Sequence, residues 1–367
     1  MKVLLAHYWY LKERGGEKVL NSISTLFEEY DLLFHVHDEE LVKKKHPNAK
    51  KIKNTFISRL PFAKRFYQIY LFLFPFAIYF ADTDEYDLII SFESGPMKGL
   101  KKNDNQIEVT YCHSPMRYLY DMKEDYYTSF FKKLYLKIFS PLLIFWDSCS
   151  SKKLNLIISN SNFVSERVKK YWGRESLVVN PCLSNNQLQK TIERKNIKTN
   201  EFLFLGELTE YKKPKLAIES CIAADALLHI VGDGEQASSL AQEYSENKNI
   251  IFHGRVSDKQ LETFFSSCNA LIFPGIEDYG LVPLESIGYG MPVIAFKKGG
   301  CLDYLNEAYA DFFYQQEVNE LSKLIKMRIV NPKAISPKDL LKIKEKFSQK
   351  AFLKKFQEAL LHLDIKL

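Results

Sequence analysis

Two glutamates, Glu277 and Glu285, stand eight positions apart in GIEDYGLVPLESIGYGMPVIA, which runs from Gly275 to Ala295. Carboxylates only accept hydrogen bonds, so the hydroxyl groups of a sugar or a ribose would satisfy them. Gly280 lets backbone come close to a ligand. A helix that starts just after it would offer unpaired N–H groups and the positive end of its dipole to a phosphate. Phosphate on amides and hydroxyls on carboxylates describe a sugar nucleotide. Spacing alone favours a plainer role, with Glu285 complementing the helix start and Glu277 a solvated loop charge.

The flanking runs ALIFPG and MPVIAF read as buried strands, which leaves an exit loop and a short helix over roughly 281–290 between them. Pro283 suits the first turn of that helix, where its missing N–H costs nothing. Along the whole chain, apolar runs alternate with stretches of helical period. KVLLAHYW, DLLFHVHD, YDLIISFES, QIEVTYCHS, NLIISNS and SLVVNP come first. A polar stretch near 183–200 follows, and then EFLFLGE, ALLHIVGDGE, NIIFHGRV, ALIFPG and MPVIAF. The pattern predicts two doubly wound α/β domains, each binding ligands outside the carboxyl ends of its strands, with the two crevices facing one another across a cleft. FSQKAFLKKFQEALLHL, with Phe347, Ala351, Phe352, Phe356, Ala359 and Leu360 at helical spacing, predicts a terminal helix.

The length of 367 residues suits two domains at roughly 150 residues each. A net charge of +6 and a pI near 8.7 favour an anionic partner, a phosphate-rich ligand or a membrane surface, without requiring nucleic acid. Six scattered cysteines with no C-x-x-C point to a reduced, cytosolic protein whose thiols are small buried hydrophobes. The opening MKVLLAHYWYLKERGG is too short in its apolar run for a signal peptide and reads as a first strand. YLFLFPFAIYFA, broken by Pro75, falls short of the ~20 residues that span a bilayer. Two basic and aromatic segments, residues 56–81 and 130–146, have two readings of equal weight: peripheral contact with an anionic membrane, or amphipathic core helices with a solvated basic edge.

EDYGLVPLE, SIGYGMPVIA and KKGGCLDYL in succession resemble the donor-site signature of glycosyltransferase family 4, a retaining family of GT-B architecture. HYWYLKERGGEKVL, CHSPMRYLYD, SNSNFVSERVKKYWG and GRVSDKQL accompany it in the family's order, so the resemblance covers nearly the whole chain. It is closest to the branch holding mannosyltransferases of bacterial surface-polysaccharide synthesis. It implies an acceptor-binding Rossmann-like domain over 1–183, a nucleotide-sugar-binding one over 184–349, and a helix over 350–367 packing back toward the first. It implies that Glu285 contacts the ribose and Glu277 the transferred sugar. The backbone of Gly280, Leu281 and Val282 would meet the distal phosphates, and that of Arg255 and Val256 the base. His113 would contact the donor sugar, and the Gly15–Gly16 loop would lie over the diphosphate. Lys212 would neutralise the leaving group, with Lys213 a second candidate. Arg117 has two readings, an acidic neighbour or an acceptor phosphate. Glu207 departs from the pattern, since many relatives carry arginine there and a carboxylate cannot stabilise a developing phosphate charge.

The implied reaction moves a hexose, mannose from GDP-mannose being favoured and a UDP-sugar the alternative, to a glycan or polyprenyl-diphosphate-linked acceptor. It would take place in the cytoplasm or on the inner membrane face. No cofactor or metal is expected, because Asp82-Thr83-Asp84 precedes a strand rather than following one and reads as a solvated loop. Two other classes compete. A catalytically impaired scaffold rests on Glu207, and a nicotinamide-dependent oxidoreductase rests only on GDGE at 232–235, without a G-x-G-x-x-G after the first strand.

Overall fold

The computed structural model describes residues 1–123, 130–184, 188, 194 and 197–365. They form two compact units, Met1–Pro181 with Phe352–Leu367, and Cys182–Ala351. The first is built on β1 (Val3–Tyr10), β2 (Tyr30–His37), β3 (Ala49–Asn54), β4 (Leu88–Glu93), β5 (Ile107–Cys112), β6 (Leu156–Ser159) and β7 (Leu177–Val178). Their order across the sheet is β3-β2-β1-β4-β5-β6-β7, with every pairing parallel. The inner strands read as nearly unbroken apolar runs because helices cover both faces of a parallel sheet. Leu4, Leu5, Ala6, Ile89 and Ile90 are wholly buried.

The second unit repeats the winding with β8 (Lys198–Leu205), β9 (Leu227–Val231), β10 (Ile250–Gly254), β11 (Cys268–Phe273), β12 (Val293–Phe296) and β13 (Ala310–Phe313). Their order is β10-β9-β8-β11-β12-β13, again all parallel. In each unit the chain winds outward in one direction from the first strand and then returns to its other side. The reversal falls between β1 and β4 in one sheet and between β8 and β11 in the other. At such a reversal the loops leaving the two central strands diverge and open a crevice.

Two strands were absent from the sequence reading, and both lie at edges. β3, AKKIKN, carries three lysines, which keep an open edge from pairing with another chain and erase the apolar signal. β13, ADFF, is only four residues long. β8 begins at Lys198, inside the stretch read as a linker, and residues 185–187, 189–193 and 195–196 of that stretch lie outside the described residues. The last helix spans Gln349–Leu360, and Phe352 and Phe356 set their rings 6.2 and 6.4 Å from that of Tyr111 on β5. Phe347, expected in that helix, instead ends the preceding one, Pro337–Lys346, and is buried in the second unit's core. The cysteines are all reduced, with Cys112, Cys221, Cys268 and Cys301 buried and Cys149 and Cys182 half-buried.

One buried polar group in the first unit has a determined proton position. His35 on β2 places Nε2 2.8 Å from the Pro96 carbonyl and Nδ1 2.9 Å from the Thr55 hydroxyl. A carbonyl can only accept, so Nε2 holds the hydrogen and Nδ1 accepts from Thr55. Burial pushes the imidazole down to about 4 from its ordinary 6.5. Above pH 6.5 both folded and unfolded chains are neutral here; below it the unfolded chain takes up a proton that the folded one refuses. Stability attributable to His35 is therefore lost as pH falls from about 6.5 to about 4, by about 1–2 kcal/mol at pH 5. His35→Gln, which can keep a donor toward Pro96, should show a correspondingly smaller drop than wild type in urea-unfolding free energy between pH 7 and pH 5.

Candidate active site

In the second unit both loops at the reversal carry charged groups. β11 is buried throughout and ends at Phe273, and the loop 274–280 leads into the helix Leu281–Gly288. Gly280 precedes that helix at φ 78°, in the left-handed region that favours glycine. A β-carbon there would also come 3.2 Å from the Phe273 ring and 3.3 Å from the Tyr304 hydroxyl. The buried Tyr304 donates to the Gly280 carbonyl, which fixes the turn. The first amides of the helix, including those of Leu281 and Val282, have no partner inside the helix itself. Leu281 and Val282 are half-buried, with side chains packed on the unit's core. Glu285 lies one turn further on and is half-buried.

The loop after β8 supplies the opposite charge. Lys212 ends a short 3-10 turn, Glu210–Lys212, and its Nζ lies 2.9 Å from Glu277 Oε1. Both side chains are largely shielded, at 14% and 16% exposure. The approach is off the angle of a hydrogen bond, so Oε1 keeps acceptor capacity while the pair balances in charge. Burial works to lower the Lys212 pKa, but Glu277, with a smaller contribution from Glu207, more than offsets it and holds the ammonium above its ordinary value. A β-carbon on Gly275 would fall 2.7 Å from Lys212 Cα, so the two loops meet at backbone distance only because that residue is glycine. The Glu277 carbonyl also accepts from the Gly300 amide at 2.9 Å.

The remaining residues of this unit lie farther out. Lys213 turns to Glu210 at 2.8 Å, and Glu207 is exposed. Arg255 follows β10, is 67% exposed, and faces Asp233 at 3.7 Å, while Val256 packs on the core. The GDGE residues 232–235 form the loop after β9, whose Asp233 carbonyl accepts from the Leu208 amide.

The first unit gathers a second group around its own reversal. Gly15 and Gly16 open the helix Gly15–Ser24 just after β1, and the Glu17 carboxylate accepts from the Arg14 amide at 2.9 Å. A β-carbon on Gly16 would lie 2.8 Å from the Tyr8 hydroxyl and 3.4 Å from both His7 Nε2 and His113 Nε2. His113 leaves β5, is half-buried, and its carbonyl accepts from Asn160. The buried His7 donates from Nδ1 to the Trp9 carbonyl at 2.9 Å. Its pKa is held well below the ordinary value, first by burial and then by the neighbouring His113. Glu17 is pushed up to about 7, chiefly by burial. Arg117 begins a 3-10 turn, Arg117–Leu119. Asp82 and Asp84 sit in the loop before β4, where the Asp84 amide donates to Asp82 at 3.4 Å.

The profile of the family described as "Glycosyl transferases group 1" matches residues 185–350. The alpha-1,3/1,6-mannosyltransferase ALG2 of Dictyostelium discoideum is 23% identical over 327 residues, covering 75% of this chain and 75% of that protein. The human ALG2 is 26% identical over 322 residues, with 77% and 74% covered. Among solved structures, Anabaena HepE in complex with UDP superposes with a TM-score of 0.71 at 16% identity, over 99% of this chain and all of that one. The second unit thus matches the glycosyltransferase group 1 family over nearly its whole length. The chain's two Rossmann-like units are those of the GT-B architecture.

Several residues that shape the first unit escaped the sequence reading. Arg167, on the helix Asn162–Trp172, is 5% exposed and grips the loop that carries His113. Its guanidinium donates to both Asp121 oxygens at 3.1 and 2.7 Å and to the Ser114 hydroxyl at 2.7 Å. Deeper still, Lys98 is fully buried between Glu93, at 3.1 Å, and Asp147. Asp147 also accepts from the Tyr120 hydroxyl and the Trp172 indole, each at 2.6 Å. Burial raises the Glu93 pKa while Lys98 pulls it back. Burial alone would depress Lys98, but the two carboxylates overcome it and keep the ammonium charged. The signal existed in SFESGPMKG, where a lysine and a glutamate interrupt an apolar run, but their partner Asp147 lies 49 residues from Lys98. Lys98→Met would strand two buried carboxylates and should cost about 3–5 kcal/mol, measured by urea unfolding.

Proposed function

We propose that this chain is a glycosyltransferase that moves a hexose from a nucleotide-diphosphate sugar to a glycan or lipid-linked acceptor, with retention of anomeric configuration. The observation that carries the reading is the Lys212–Glu277 pair at the strand-order reversal, beside a glycine-led helix start. The diphosphate sits on the amides of Gly280, Leu281 and Val282 and on Lys212. Glu277 faces the sugar near its reacting carbon, Glu285 the ribose hydroxyls, and the Arg255–Val256 backbone the base.

Breaking the bond between the anomeric carbon and the phosphate oxygen builds negative charge on the diphosphate and positive charge on the sugar. Lys212 and the helix start stabilise the first and Glu277 the second, where charge changes most between ground and transition states. The acceptor oxygen attacks on the same face, and its proton passes to the departing phosphate. In the ligand-free protein Glu277 already occupies the cation that the diphosphate needs, so donor binding must draw Lys212 away from it.

Mannose from GDP-mannose is the favoured donor, supported by the mannosyltransferase names of the eukaryotic relatives. A UDP-sugar is the alternative, supported by the HepE complex with UDP-glucose. A role in bacterial surface polysaccharide is supported by likeness to the Escherichia coli O-antigen biosynthesis glycosyltransferase WbnH, 31% identical over 129 residues; a cytoplasmic place in peripheral contact with the membrane goes with that role in this reading. Glu207 favours a second reading, a donor-impaired scaffold, because it adds a carboxylate beside Lys212 where a cation would help.

A panel of GDP- and UDP-sugars with a polyprenyl-diphosphate-linked acceptor tests the proposal, with product configuration read by NMR. Lys212→Met and Glu277→Ala should each lower kcat roughly 100-fold or more. Glu285→Ala should act mainly on KM, by roughly 10-fold. Calorimetry on the same donors distinguishes the readings: binding with transfer supports the enzyme, whereas no nucleoside-diphosphate binding and no transfer overturn it in favour of the scaffold.

A further inference from the structure

Residues 56–81 and 130–146 contain no acidic residue. The second segment lies within a 22-residue helix, Phe130–Ser151, whose buried face carries Leu136, Leu143 and Asp147. Its opposite face presents Phe130, Leu134, Ile138, Leu142 and Phe145 to solvent, with Phe130 75% and Phe145 69% exposed. Those positions follow the helical period, so they form one stripe along the helix. A soluble helix carries charge on such a face; here the exposed polar residues among them are Lys133 and Lys137.

The first segment extends the stripe sideways. Phe72 stacks on Phe139 at 4.7 Å, and its amide donates to the Tyr135 hydroxyl at 3.2 Å. Tyr135 in turn donates to the Ile69 carbonyl at 3.1 Å. In the segment joined to the helix in this way, Phe62, Phe66, Ile69, Phe76 and Phe80 are exposed, Phe62 at 78% and Phe80 at 72%. Arg59, Lys64 and Arg65 stand among them, also exposed. Eighteen large hydrophobic side chains are exposed among the described residues, and the five of the stripe together with Tyr79 and the five just named make eleven in these two segments. Such concentration in one region marks a binding surface rather than scattered exposure.

We propose that this face of the first unit docks on an anionic lipid bilayer, lying in the headgroup region with its aromatic and aliphatic side chains inserted and its five cations against lipid phosphates. Charge selects the occupant. A second copy of the same face would set cations against cations, whereas an anionic leaflet satisfies them and accepts the apolar stripe at once. No helix among the described residues is long and apolar enough to cross a membrane, so the contact is one-sided. It places a lipid-linked acceptor within reach, yet it stands without the donor reading, since vesicle binding needs no donor.

The test is co-sedimentation of the full chain with vesicles of phosphatidylcholine alone and of phosphatidylcholine with about one third phosphatidylglycerol. Wild type should bind the anionic vesicles, bind the neutral ones weakly, and lose affinity with added salt. Ile138→Glu with Leu142→Glu should weaken binding roughly 10-fold or more, and so should Lys133→Glu with Lys137→Glu. Neither pair should shift the melting temperature, and the lysine pair, fully on the surface, keeps the test valid if the apolar pair melts early. Absence of binding, equal binding to neutral vesicles, or unchanged binding by both variants would overturn the proposal. A dimer seen by light scattering and dissolved by the Ile138 and Leu142 substitutions, without vesicle binding, would assign the face to a second copy instead.

Discussion

A parallel strand cannot be joined to its neighbour by a tight turn; the chain must cross over a face of the sheet, and the crossover has one hand. Winding outward on one side and then on the other is the way such a chain builds a wide sheet. The loops at the carboxyl ends then part company at one place only. Both units obey this constraint, and everything with chemical potential in the second unit follows from it. The residues after β8 and after β11 are far apart in sequence but adjacent in the sheet, so Lys212 and Glu277 meet. The contact is a property of the winding before it is a property of the side chains.

Charge is managed differently at different depths. In the first unit Lys98 is sealed between two carboxylates and two indole rings, with Nζ 4.9 Å from the Trp146 ring centre and 4.3 Å from that of Trp172. Such a cluster is fully committed, and its groups are too deep to exchange partners with a ligand. The Lys212–Glu277 pair is of the other kind. It is shielded enough for the attraction to be strong and open enough for a ligand to intervene. In residues 56–81 and 130–146 of the first unit, exposed cations stand among exposed aromatic rings, and neither segment contains an acidic residue.

The chain's sequence carried the fold wherever burial was two-sided. β1, β4, β5 and β11 are buried almost throughout and mostly apolar, with only one or two polar side chains each, and could hardly be mistaken. The edges were illegible for the opposite physical reason: β3 defends its open side with Lys50, Lys51 and Lys53, and three lysines in six residues look like a loop. Phe347 fitted the periodicity of the last helix but belongs to the core of the other unit, because period says which way a side chain would point and not where the helix begins. At the candidate site, the glycine and helix start around Gly280 could be read locally from turn and capping chemistry. The pairing of Lys212 with Glu277, and of Gly16 with His7 and His113, could not, since no local signal encodes a contact between distant loops. Arg167 lay in a motif already noticed, but a single arginine on an amphipathic helix gives no hint of the acid it will meet.

The fork of Arg167 has a practical consequence. One guanidinium holds Asp121 and Ser114, so the loop from Cys112 to Asp121 and the helix Asn162–Trp172 are fastened side by side although 46 residues separate Arg167 from Asp121. Anyone transplanting that loop into a related scaffold would have to carry the helix along with it. The two segments are a single exchangeable cassette, and a chimaera cut between them would inherit a severed clamp.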